Sequence, residues 1–158
     1  MDSLIITEYC SSDKRKYRFR KEISEDPLIN QYISSDLALY LDESEGIQAL
    51  RIGHTYIISE ERKLIGIIRL AYLDSDGTLN LHYGVHPDSR KKHYGSRILQ
   101  ETPKYIFKQI PDVKRIELHI KEINKGSIQC AENANFILQR EYGIKQSENI
   151  IKVYEKKR

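Results

Sequence analysis

Val85-His86-Pro87-Asp88-Ser89-Arg90-Lys91-Lys92-His93-Tyr94-Gly95-Ser96 is the stretch from which the fold can be read. Before it, Leu79, Leu81, Tyr83 and Val85 alternate with Asn80, His82 and Gly84, the period of two that marks a strand. After it, Ile98, Leu99, Thr102, Tyr105, Ile106 and Ile110 recur at helical spacing from about Gly95 to Gln109, and Pro111 closes the run. The quoted residues therefore form a basic loop between a strand end and a helix start. Amides of a first helical turn have no partner inside the helix, and the macrodipole adds about half a positive charge in front of them. Arg90, Lys91 and Lys92 add formal charge, and Gly95 lets the backbone come close to a bound group. A phosphate or pyrophosphate is the expected ligand. Neither the G-x-x-x-x-G-K-[ST] loop nor the G-x-G-x-x-G fingerprint is present.

Towards the N-terminus, Thr55 to Ser59 and Leu64 to Tyr72 read as strands separated by the polar turn Glu60-Glu61-Arg62-Lys63. Asp74-Ser75-Asp76-Gly77 then turns the chain into Thr78, which makes a three-stranded meander. Leu4-Ile5-Ile6 is a short first strand. Asp26-Pro27 signals a helix start, followed at helical spacing by Leu28, Ile29, Tyr32 and Ile33. A second short helix is expected from Asp36 to about Glu43, with Leu37, Tyr40 and Leu41 on one face and Gly46 ending the unit.

Towards the C-terminus, Arg115 to Ile120 places Ile116, Leu118 and Ile120 opposite Glu117, His119 and Lys121. A short helix follows from Ser127 to about Asn133, then strands near Phe136 to Tyr142 and Ile150 to Tyr154. The long helix joins two strands as a crossover, so these should be parallel neighbours. The expected fold is α+β: a mixed, mostly antiparallel sheet of about six to seven strands with about four helices. No repeat, low-complexity tract or linker divides the chain, so one domain over residues 1–158 is expected.

Composition narrows the class. Hydrophobic content of 39% and charged content of 31% describe a globular chain, and no apolar run is long enough to span a membrane. The N-terminus lacks the basic-then-apolar order of a signal peptide. Two cysteines, Cys10 and Cys130, without C-x-x-C spacing argue against a disulfide framework or a thiolate metal site. A cytoplasmic location is the resulting expectation. Lys14 to Lys21 packs six cations around two aromatics, the composition of a nucleic-acid contact strip. Its period of two, with Glu22, Glu25 and Asp26 following at once, favours an outer strand with Tyr17 and Phe19 turned inward. With a net charge of only +3, nucleic acid is not the expected partner.

Two motifs on these elements resemble the GCN5-related N-acetyltransferases (GNAT), which move an acetyl group from acetyl-CoA to an amine. The family's Q/R-x-x-G-x-G/A loop matches Arg90-Lys91-Lys92-His93-Tyr94-Gly95, led by Val85-His86-Pro87. The family's Asn and Ser before a short helix ending in Gly-Phe match Asn124-Lys125-Gly126-Ser127 and Asn135-Phe136. The resemblance covers Tyr56 to Tyr142 clearly and the N-terminal helices loosely. His93 stands where the family's first Gly usually sits, and Asn135 replaces the Gly before Phe136.

The resemblance implies a single N-acetyltransferase domain whose fourth and fifth strands splay to admit the pantetheine arm. The backbone at Tyr83 and Val85 would pair with that arm. Amides from Lys91 through Lys92, His93, Tyr94 and Gly95 to Ser96, with Arg90, would hold the pyrophosphate, and Asn124 and Ser127 would contact the far side of acetyl-CoA. No metal is implied. Family members often place a base on the fourth strand, where this chain has Leu79 and Leu81. Others use the fifth-strand position that is His119 here; an imidazole with an ordinary pKa of about 6.5 suits the role. His82, beside the expected thioester, is the second candidate. The usual acid, a Tyr, is replaced by Ala131, leaving Tyr142 or Tyr83 as substitutes. These departures keep open a CoA-binding relative that has lost catalysis. Asp36, Asp42, Glu43 and Glu45 fall where the family borders its acceptor site, which favours a cationic amine, either small or on a protein or peptide. Membrane is not an expected partner, and a homodimer is among the assemblies the family uses.

Overall fold

The computed structural model describes residues 3–27, 55–90, 92–143 and 150–158. β1 (Leu4–Glu8) is followed by α1 (Lys14–Ser24), the meander β2 (Thr55–Glu60), β3 (Lys63–Leu73) and β4 (Thr78–Val85), and a single turn of 3-10 helix at Pro87–Ser89. Then come α2 (Tyr94–Gln109), β5 (Arg115–Lys121), α3 (Lys125–Asn133), β6 (Ile137–Gly143) and β7 (Ile150–Lys157). The strands form one seven-stranded sheet in the order β1-β2-β3-β4-β5-β7-β6. Every pairing is antiparallel except β4 with β5, which α2 connects as a crossover. The α+β architecture and the meander thus agree with the sequence reading. Three α-helices lie among the described residues; the helices expected from Leu28 to Glu43 fall outside them.

One expectation is overturned. Lys14 to Lys21 is helix, not an outer strand. Asp13 caps it, its carboxylate accepting from the amides of Arg15 at 3.0 Å and Lys16 at 3.2 Å. Phe19 and Ile23, four residues apart, are the buried pair, packed with Ile57 and Ile67 on one face of the sheet. Burial of two such side chains contributes about 2 kcal/mol each, whereas Tyr17 stays 43% exposed. The Tyr17–Phe19 alternation was only two residues of a helical pattern completed by Ile23.

On the opposite face, α2 and α3 cover the main core. Ile98, Leu99 and Ile106 of α2 and Ala131 of α3 pack against Ile68, Leu70, Leu79, Leu81, Ile116 and Leu118. Sheet alternation therefore sends Leu81, Tyr83 and Val85 towards the helices and His82 to the other side.

Candidate functional site

The parallel ladder is short. β4 and β5 pair only at Thr78–Arg115, Leu79–Ile116 and Asn80–Glu117. Beyond that point Leu81 to Val85 bond only to β3, and Leu118 to Lys121 only to β7. The two strands part, leaving backbone donors and acceptors of β4 facing a gap in the middle of the sheet. An extended chain can enter such a gap as an added strand.

At the open end, β4 runs into the basic loop. The amide of His86 donates to Ile65 O at 2.8 Å, tying the loop's start to β3. His86 Nδ1 accepts from the Asp88 amide at 3.2 Å and starts the 3-10 turn. His93 is the N-cap of α2 with φ 62 and ψ 14, in the left-handed region, and makes no side-chain cap bond. The family's Gly fits that conformation without strain; His occupies it at a steric cost of roughly 1 kcal/mol. Asn135 likewise has φ 64 at the other family Gly position.

Beneath the loop, α2, α3 and β4 converge. A Cβ built on Gly95 would lie 2.8 Å from Cys130 Sγ and 3.9 Å from the Tyr83 ring. Gly95 is therefore required for the first turn of α2 to sit against α3. The Tyr83 hydroxyl and Ser127 Oγ are 2.6 Å apart. Burial pushes the Tyr83 phenol far above its usual range, so it keeps its proton. Asn124 caps α3, accepting from the Ser127 amide at 3.2 Å. Ser96 Oγ accepts from Asn133 Nδ2 at 3.3 Å, another bond between α2 and α3.

Arg90 is already engaged. Its guanidinium bonds the carboxylate of Asp26, just past the end of α1. His86 Nε2 lies 2.6 Å from Glu22 Oε2 and its ring stacks on Phe19 with centroids 5.0 Å apart. Two polar links and one ring contact thus bind α1 to the basic loop. Lys91 lies outside the described residues, and Lys92 borders His93 at the helix start.

On the other face of the sheet, residues far apart in sequence meet. His119 Nδ1 is 3.0 Å from the Tyr142 hydroxyl. His119 Nε2 is 3.8 Å from Glu117 Oε1, and Arg140 holds both Glu117 oxygens at 3.4 Å. His119 titrates below the ordinary imidazole range because it is buried; Arg140 adds to this and Glu117 opposes it. His82 faces the same side, opposite Arg69 in the β3–β4 register. Burial, then the charges of Arg69 and His119, lower it to about 4. Both shifts favour the neutral imidazole.

The structure thus brings His119, His82 and Tyr142 to one face and Tyr83, Ser127, Asn124 and Gly95 to the other, on either side of the parted strands. Sequence reasoning missed Glu117 and Arg140, although Glu117 shares the His119 face by simple alternation. It also missed Asp26 and Glu22 as partners of the loop, for which no sequence signal exists. Among the described residues no group of three or more His, Cys, Asp or Glu side chains could hold a metal.

A parted parallel pair in an otherwise antiparallel sheet, with a basic loop at the gap's mouth, is the arrangement that the resemblance to the acyl-CoA-dependent GNAT transferases implies. The family model for the acetyltransferase (GNAT) domain matches residues 3–137, and the chain belongs to that family. It is an acyltransferase with acetyl-CoA as donor. The fold is similar to RimL, the ribosomal L7/L12 alpha-N-protein acetyltransferase solved with coenzyme A: TM-score 0.75, 13% identity, covering 98% of this chain and 94% of that one. It is also similar to aminoglycoside acetyltransferase AAC(6')-Ib in complex with coenzyme A and kanamycin: TM-score 0.75, 16% identity, 99% and 95% covered. A GNAT-family acetyltransferase from Bacillus anthracis gives TM-score 0.76 at 18% identity, with 99% and 95% covered. At these identities the likeness is one of fold. No curated protein sequence matches the chain.

Proposed function

We propose that residues 1–158 act as one N-acetyltransferase domain that passes the acetyl group to a primary amine by direct attack in a ternary complex. The observation that carries this is the end of the β4–β5 ladder at Asn80 and Glu117. It opens the sheet between the basic loop and the His119–Tyr142 pair. In this reading the backbone at Tyr83 and Val85 bonds the pantetheine arm. The amides of Lys91 to Ser96 hold the pyrophosphate, with charge from Arg90, Lys91 and Lys92. Asn124 and Ser127 line the helix side, where the protonated Tyr83 hydroxyl supports Ser127.

An amine must lose a proton before or during attack. His119 is neutral and part-exposed, and its Nδ1 is held by Tyr142, so it is the base of this reading. His82, lowered to about 4, stays unprotonated through the working range and serves as a hydrogen-bond acceptor beside the thioester position. Tyr142, whose phenol is raised by burial, is the group that can return a proton to the leaving thiolate. The acceptor is a cationic amine, small or on a protein or peptide. RimL and AAC(6')-Ib, named for a protein α-amine and for aminoglycosides, bracket that range. The acidic residues Asp36, Asp42, Glu43 and Glu45, on which the acceptor reading rests in sequence, lie outside the described residues. Two free thiols, Cys10 and Cys130, suit the cytoplasmic location included in this reading.

The test is calorimetric titration with acetyl-CoA, with CoA and ATP as controls, followed by an amine screen read by free-thiol release. Micromolar binding that requires the CoA moiety, with thiol release for a polyamine, an aminoglycoside or a peptide N-terminus, is expected. No binding at millimolar acetyl-CoA would overturn the reading.

A further inference from the structure

The basic strip looks different once Lys14 to Lys21 is a helix. On α1 the buried line runs through Phe19 and Ile23, and the opposite line carries Lys14, Arg18 and Lys21, all exposed. Their spacing of four and three residues places their Cα atoms about 6 and 4.5 Å apart along the axis. Arg15, on the flank of α1, bonds the carbonyl of Arg62, a residue exposed in the turn between β2 and β3. Tyr17, 43% exposed, stands beside this line with the Arg20 guanidinium 5.6 Å from its ring centroid.

This arrangement works against the helix that carries it. Lys14 and Arg18, or Arg18 and Lys21, repel at helical contact spacing, each pair costing a few tenths of a kcal/mol. Lys14, Arg15 and Lys16 occupy the first turn, where the macrodipole is already positive, and that turn holds no acidic residue. Asp13 is the capping group there, and Glu22, at the other end, is engaged by His86. Such a surface is stabilised by a polyanion that supplies charges at regular intervals.

The geometry points to α1 as a docking surface for single-stranded nucleic acid, with Lys14, Arg18 and Lys21 along the phosphates and Tyr17 as a stacking platform. A line of cations can follow a line of phosphates, and an exposed aromatic beside cations is the combination that binds unpaired bases. An acidic protein would meet the same charges, and competition by polyglutamate separates it from nucleic acid. The surface is the face of α1 turned away from Phe19 and Ile23, and it includes none of the residues assigned above to the donor.

The experiment is fluorescence anisotropy of a fluorescein-labelled oligo(U) of about 20 nucleotides with the full chain, from about 50 mM salt upward. Binding with a log–log salt slope of roughly −2 to −3, for three to four phosphate contacts, is expected. The triple variants Lys14→Glu/Arg18→Glu/Lys21→Glu and Lys14→Gln/Arg18→Gln/Lys21→Gln should bind at least tenfold more weakly, and Tyr17→Ala about fivefold more weakly. Both triple variants should melt at or above the wild-type temperature, because like-charge repulsion is relieved, and keep its acetyl-CoA affinity. Absent binding at low salt, or unchanged binding in the folded glutamine variant, would overturn the assignment. Displacement by polyglutamate as effective as by unlabelled oligo(U) would overturn it in favour of an acidic protein.

Discussion

Arg90 and Asp26, 64 residues apart, form an ion pair between the basic loop and the end of α1, with Asp26 only 8% exposed. The guanidinium assigned to the pyrophosphate is thus held in place by α1. Arg90→Ala should weaken acetyl-CoA binding by about 1.5–3 kcal/mol, a tenfold to hundredfold rise in Kd. Asp26→Asn should destabilise the fold by about 2 kcal/mol, because a part-buried cation loses its partner, yet leave Kd no worse than wild type. Calorimetry and urea unfolding of both variants check this. An equal loss of affinity in Asp26→Asn would mean that Arg90 shapes the loop and does not touch the phosphates.

His119 as base makes a kinetic prediction. Its burial lowers the pKa, so the ascending limb of kcat with pH should lie below the ordinary imidazole value of about 6.5. His119→Ala should remove that limb and lower kcat about 10²-fold or more, with acetyl-CoA affinity unchanged. Tyr142→Phe removes the 3.0 Å contact to Nδ1 and should lower kcat by a smaller factor, again without loss of donor affinity. A stopped pH series on the three proteins decides it: a retained limb in His119→Ala excludes His119.

That His119 and Tyr142 meet could not be read from the chain. Alternation placed each on a strand face, but β6 lies at the sheet edge beyond β7, so their contact depends on the order β5-β7-β6. Strand order is set by long-range packing, and local periodicity carries none of it. The meander and α2 were legible because their apolar residues repeat over eight or more positions between strong turn signals. α1 was not, because Tyr17 and Phe19 are two apolar residues in a charged run, and two points fit either period. The cap at Asp13 was the deciding local signal. The left-handed conformations of His93 and Asn135 were foreshadowed by the family's glycines, whereas the Arg90–Asp26 and His86–Glu22 links join segments that no local rule connects.

His82 ties stability to pH. Its folded pKa, about 4, lies below the unfolded value of about 6.5, so the unfolded chain binds more protons between these values. Stability from this group is complete above about pH 6.5 and falls as pH drops towards 4, by roughly 2–3 kcal/mol in all. Urea unfolding at pH 7.5 and at pH 4.5 should show that loss in the wild type and a markedly smaller one in His82→Gln. Parallel curves for the two proteins would place the buried proton-sensitive group elsewhere.

Gly95 and Cys130 make the packing beneath the loop testable by a cycle. A methyl at residue 95 would meet Cys130 Sγ at 2.8 Å, a distance real side chains do not adopt, so Gly95→Ala must push α2 from α3 or displace the thiol. Overpacking of this kind costs about 1–3 kcal/mol. It should also weaken acetyl-CoA binding several-fold, because the displaced turn carries the amides of Gly95 and Ser96. Removing the sulfur in Cys130→Ala creates a space the new methyl can enter. The double variant Gly95→Ala/Cys130→Ala should therefore be more stable than the sum of the single changes, by at least about 1 kcal/mol of favourable coupling. Additive unfolding energies would show that the methyl clashes with backbone and not with the thiol. Recovery of stability without recovery of acetyl-CoA affinity would instead show that Gly95 also serves the ligand directly, by letting the phosphate approach its Cα.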